Sequence, residues 1–186
     1  MQEQIERTLI TLDEVTAEAH KLFNHLTVLQ LNWKPAPEKW SIAQCLDHLI
    51  VSNNTYYPQF NAIITRKYSN SLYQNIGFIS RWFGNYLIRE TGPVVGKPMK
   101  NPPAFAPAQS NLPATIVADF KKQQLQLCAI IAKLDDADLN KTIVSSPALG
   151  LITYSLHDLL IILAGHEQRH LNQAKNVLQH AKFPQK

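Results

Sequence analysis

The stretch from Ser155 to Gln179 reads SLHDLLIILAGHEQRHLNQAKNVLQ, and the fold follows from how it is read. Leu156, Leu159, Leu163, Ala174 and Val177 recur at three- and four-residue intervals, the spacing of one core-facing stripe on an α-helix. His166 and His170 fall in the same row. Ser155 followed by Asp158 matches a capping box at the start of this helix. Two histidines four residues apart on a helix point the same way, nearly one turn apart, so both imidazoles can reach one metal ion. A polar ring left unsatisfied on a buried stripe costs about 1–3 kcal/mol. A metal is one way to satisfy both rings, and the rest of the chain should then supply a third ligand.

Outward from this helix, the chain reads as further helices joined by loops. Residues from about Gln4 to Leu31 keep an apolar stripe through Ile5, Leu9, Leu12, Val15, Ala19, Leu22, Leu26 and Leu29. Pro35 and Pro37 stop it, since proline cannot continue the hydrogen-bond ladder. A second helix opens at Trp40-Ser41-Ile42-Ala43-Gln44, where Ser41 and Gln44 form a capping box and Trp40 is placed as a staple against Cys45. It carries Ile42, Cys45, Leu46, Leu49 and Ile50 inward together with His48, and Pro58 kinks or ends it at Tyr57. Tyr68 to Arg89 reads as an extra helix over one side of the core, weakened by Gly77 and Gly84. Thr91 to Pro113 carries six prolines and reads as a long irregular loop. A third long helix runs from about Ala114 to Leu134, with Ile116, Phe120, Leu127, Ile130, Ile131 and Leu134 inside and Lys121, Gln123, Gln124 and Gln126 outside. Asp135 to Thr153 is a connection, and strand signals are nearly absent. The expected architecture is all-α, a single four-helix-bundle domain over residues 1–186 with an extra helical segment and a long Pro-rich loop.

Composition sets the class. The chain has 186 residues, enough for a substantial core without disulfides. Charged residues make up 17% against a usual share of about 25%, which favours a folded interior over a disordered tail. The net charge of +4 is scattered, without the aromatic interleaving of a nucleic-acid surface. The N-terminus lacks the pattern of a secretory signal, and no apolar run reaches the 18 or so residues of a membrane span. The expected compartment is the cytoplasm. Cys45 and Cys128 sit in helical patterns and read as small buried hydrophobes.

His166-Glu167-Gln168-Arg169-His170 matches the His-Glu-x-x-His pattern in which two histidines hold zinc and the glutamate acts as a base. Metalloproteases of that type take a third ligand downstream. Only sixteen residues follow His170, none of them acidic, and Gln173 and Asn176 stand where an extended motif needs Gly and His. His48, set among the core residues of the second helix, is the better third ligand. Three histidines leave a position open for water or substrate, the arrangement of a catalytic site. Glu167 lies about 100° around the helix from His166, so its solvated or salt-bridged reading stands ahead of a catalytic one. Arg169 reads as a surface or dimer-contact residue. Asp47, Ser52, Asn53 and Gln173 are candidates to orient the rings, though each reads more simply as a helix-surface polar residue. His20, His25, His157 and His180 read as hydrogen-bonded core or surface residues. Trp33, Trp82, Phe83 and Tyr86 read as core or interface packing.

Trp40-Ser41-Ile42-Ala43-Gln44-Cys45-Leu46-Asp47-His48-Leu49 resembles the N-terminal signature of the DinB/YfiT-like superfamily, a Trp-Ser pair followed by His-Leu. His166-x-x-x-His170-Leu171-x-Gln173 resembles its C-terminal signature, and the Lys97-to-Pro107 loop and the Leu149-to-Thr153 lead-in also fit. The resemblance implies a four-helix bundle, commonly dimeric, with a divalent metal on three histidines that map to His48, His166 and His170. Members with assigned activity include thiol S-transferases using bacillithiol, a mycothiol-dependent isomerase and metal-dependent hydrolases. The expectation is therefore an enzyme carrying Zn²⁺ or Ni²⁺, with a low-molecular-weight thiol as co-substrate and a small electrophile as substrate. The expected partners are a second copy in a homodimer, without nucleic acid or membrane. The alternatives are a non-catalytic metal-binding stress-response module and a plain helical interaction domain.

Overall fold

The computed structural model describes residues 1–71, 74, 77–92, 107, 111–147 and 149–185. The elements are α1 (Glu3–Phe23), α2 (Val28–Asn32), α3 (Ile42–Asn54), α4 (Tyr57–Ile64), α5 (Gly77–Thr91), α6 (Ile116–Ala132), β1 (Ile143–Ser145), β2 (Thr153–Ser155) and α7 (Leu156–Leu178). Most of the Pro-rich loop expected over 91–113 lies outside the described residues. No helix among the described residues is long and apolar enough to cross a membrane.

Four long helices close into a ring: α1 and α3 each pack on both α6 and α7. This is the expected all-α bundle, and α5 lies outside it against α7 and β2. A glycine on each helix lets α5 sit close against α7. A Cβ at Gly84 would run into the Asp158 carboxylate, and one at Gly165 would lie 3.3 Å from Gly92 Cα. Two apolar clusters fill the bundle. One gathers Phe23, Leu46, Leu49, Phe120 and Leu171, and the other Leu12, Phe60, Leu127, Tyr154 and Leu163.

Three expectations need correction. The first helix does not run unbroken to Leu31. It stops at Phe23, and Thr27 starts a new one, its side chain accepting from the Gln30 N–H while the Gln30 side chain reaches back. That box turns the chain, so Leu29, placed inward by the stripe, is 82% exposed. The connection before α7 is not strandless: β1 and β2 pair antiparallel, with Val144 opposite Tyr154. Gln123 and Gln124 are not outside but buried on α6, in the row that includes Phe120 and Leu127. The second helix begins at its Ser41–Gln44 capping box as read. Pro58 sits in the first turn of α4, where its missing N–H costs nothing, so the chain turns between α3 and α4.

Candidate metal centre

His48 comes from α3, one and a half turns in, and its position is set by the cap. Ser41 is fully buried, and its side chain accepts from the Gln44 N–H at 3.1 Å, fixing where α3 starts. His166 and His170 come from α7, whose start is held by Ser155 accepting from the Asp158 N–H at 3.0 Å. α3 and α7 pack directly on each other, which brings the three rings together.

His48 Nε2 lies 3.0 Å from His166 Nε2. Ring centroids are 4.9 Å apart for His48 and His166, 4.4 Å for His48 and His170, and 4.5 Å for His166 and His170. One ligand nitrogen from each ring falls within 4.8 Å of the others, a spacing that could hold a metal ion. Zn–N bonds of about 2.0–2.1 Å place cis ligand nitrogens about 3.0–3.4 Å apart. His48 and His170 are buried, whereas His166 is partly open, so the group has a closed side and an accessible one. Trp40, placed by the sequence as a staple, packs on the cluster containing Cys45 and also closes the site. Its ring stacks on His170 at 5.5 Å and 23°, and lies 4.8 Å from that of His48.

The electrostatics suit a cation. Burial, with the neighbouring His48 and Arg169 adding to it, drives the His166 imidazolium pKa from 6.5 down to about 3. Burial, then His166 and His48, holds His170 well below its ordinary value. His166 and His170 are therefore neutral at physiological pH, the form that donates to a metal. His170 Nδ1 is buried with no hydrogen-bond partner. Ser52, a candidate orienting residue, brings its hydroxyl within 3.5 Å of His48 Nδ1. Gln173 acts on His170 only against the shift caused by burial.

Glu167 overturns its sequence reading. It is neither solvated nor salt-bridged but has no exposed surface at all. Its Oε1 accepts from Asn53 Nδ2 at 2.6 Å and Gln124 Nε2 at 2.8 Å. Burial raises its carboxyl from 4.5 to about 7, against the pull of those two bonds. A carboxylate sealed between three helices is not placed to act on a substrate, which removes the remaining argument for a protease-type base. Asn53, Gln123 and Gln124 thus belong to an internal network, not to the helix surface. The signal was in the spacing: Phe120, Gln123/Gln124 and Leu127 share a row, as do Leu160, Leu163, Glu167 and Leu171. Arg169 donates to the Glu90 carbonyl at 3.1 Å, tying α7 to the end of α5.

Elsewhere, His20 and His157 are partly buried, and His25 and His180 are exposed. The His180 ring rests 5.3 Å from that of Trp33. Cys45 is buried and Cys128 partly so, and burial pushes both thiols up, Cys128 to about 11. An open cleft of about 390 Å³ beside Ile63, Arg66, Lys133 and Lys141 shares no residue with the histidine group.

No curated protein and no solved structure matches the chain. The family model of the DinB superfamily matches residues 11–174. That span runs from within α1 through His48 to Ala174 on α7, beyond both His166 and His170. A helical ring whose second and fourth long helices bring three histidines together, with that match over most of its length, means that this chain belongs to the DinB superfamily.

Proposed function

We propose that His48, His166 and His170 bind one divalent ion and that the protein transfers a low-molecular-weight thiol to a small electrophile. The observation that carries this is the convergence of three ring nitrogens within 4.8 Å, two of them 3.0 Å apart. An all-imidazole donor set suits Zn²⁺ or Ni²⁺. Such an ion lowers the pKa of a thiol or water that it binds. The chain's own part is to hold His166 and His170 neutral, to cover His48 and His170 with Trp40, and to leave access beside His166. Hydrolysis is the second reaction this site would support. Trp82 at 57% and Tyr86 at 39% exposure, stacked at 5.9 Å on α5, support pairing of two copies through that helix.

The alternative is a metal-binding module without turnover, favoured by the sealing of Glu167, the one acid within the His-x-x-x-His motif. The two separate in one assay. The Zn²⁺- or Ni²⁺-loaded protein is mixed with glutathione, cysteine, bacillithiol or mycothiol and an activated aryl halide, and thioether formation is followed by absorbance. Turnover with at least one thiol that disappears in His170→Ala is the expected result. Turnover that survives this substitution contradicts the metal mechanism, and bound metal without turnover leaves the module.

A further inference from the structure

Between the two apolar clusters lies a polar layer. Ser52 and Asn53 enter it from α3, Gln123 and Gln124 from α6, and Glu167 from α7, and all five are buried. Besides the two bonds to Glu167, Gln124 Nε2 donates to Gln123 Oε1 at 3.1 Å, and Gln123 Nε2 donates to the Tyr57 hydroxyl at 3.0 Å. Around the carboxylate, Glu167 Oε2, Asn53 Oδ1 and Gln124 Oε1 are buried without partners, and all three are acceptors.

Apolar helix seams tolerate sliding, because burial is non-directional. A buried hydrogen bond does not. One residue of helix travel is about 1.5 Å, which would break a 2.6 Å contact where no water can replace it. Single buried polar residues fix register between helices in this way. The Asn53–Glu167 bond crosses the same α3–α7 seam as His48 and His166, and Glu167 directly follows His166 in the chain. A metal site needs its ligand distances right to about 0.2 Å, a tolerance the surrounding aliphatic side chains do not impose.

We propose that Glu167, clamped by Asn53 and Gln124, is a positioning residue that sets the register of α3 against α7 and so holds His48 opposite His166 and His170. This inference rests on the metal-site reading. It makes Glu167 a part of the site that never touches the ion.

The test is a Co²⁺ titration of the chelator-stripped full chain, followed by the visible ligand-field spectrum, which reports ligand geometry. Glu167→Gln keeps a carbonyl oxygen for both amides and turns a donor towards unpartnered acceptors. It should bind Co²⁺ with the wild-type spectrum. Asn53→Leu and Glu167→Leu should bind about 10-fold or more weakly and with displaced bands, the usual cost of losing a residue that supports metal ligands. Leu12→Ala, in the apolar cluster beyond the layer, is the control: it should unfold at lower temperature and leave the spectrum in place. Should Glu167→Leu not fold, Asn53→Leu and Gln124→Leu carry the test, with Asn53→Leu the weaker binder because it shares a helix with His48. Wild-type affinity and spectrum in the leucine variants would overturn the inference, as would an equal spectral change in Leu12→Ala. No Co²⁺ binding by the wild type overturns the metal-site reading and this inference with it.

Discussion

Glu167 and His166 are adjacent in the chain, and burial moves their protons in ways that oppose each other in stability. In the metal-free protein, burial raises the Glu167 pKa to about 7, so the native state holds its proton more tightly than the unfolded chain. That contribution is full below pH 4.5 and is lost as pH rises through 7. His166 behaves oppositely. Its pKa falls from 6.5 to about 3, so its contribution is full above pH 6.5 and lost as pH falls towards 3. The melting temperature of the stripped protein should therefore fall on both sides of an optimum. Glu167→Gln should flatten the descent towards pH 7, and an unchanged descent in that variant contradicts the carboxyl's placement. The angle of Glu167 from His166 alone does not reveal this burial. The row through Leu160, Leu163 and Leu171 includes it, and a helix flanked by three others buries more than one stripe.

At the scale of elements, caps set where α3 and α7 begin, and glycines seat α5 on α7. Ser41→Ala removes the side-chain acceptor for the Gln44 N–H, and should cost about 1 kcal/mol in chemical denaturation. An unchanged midpoint would show that the cap does not hold α3. Gly165→Leu forces a side chain into the space where Gly92 and Thr91 approach, and should cost about 1–3 kcal/mol by overpacking. A stability equal to wild type would mean that α5 does not need its close seat on α7. The helices themselves were readable from apolar periodicity and from Ser41, Ser155 and Pro58. The break after Phe23 was not, because Leu22, Leu26 and Leu29 continue the stripe across it, although the Thr27–Gln30 box that makes the break stands in the sequence. The β1–β2 hairpin escaped for another reason: three-residue strands have too little alternation to be seen.

For the whole molecule, the ring of α1, α6, α3 and α7 supplies the stability on which a buried polar layer depends. Leu127 is fully buried in the cluster on one side of that layer, and Leu127→Ala should cost about 2–5 kcal/mol in thermal or chemical unfolding. A cost below 1 kcal/mol would contradict the packing. The coming together of the three histidines was legible because spacing gave His166 with His170, and the Trp40-to-Leu49 signature gave His48. The layer that supports them was not, because glutamine on a helix reads as surface until its row is compared with its neighbours. The proposal that those three rings hold one ion is tested by elemental analysis of protein purified without an affinity tag, beside His48→Ala, His166→Ala and His170→Ala. Close to one divalent ion per wild-type chain, lost in each variant, is the expected result; no metal in the wild type, or unchanged content in the variants, would contradict it.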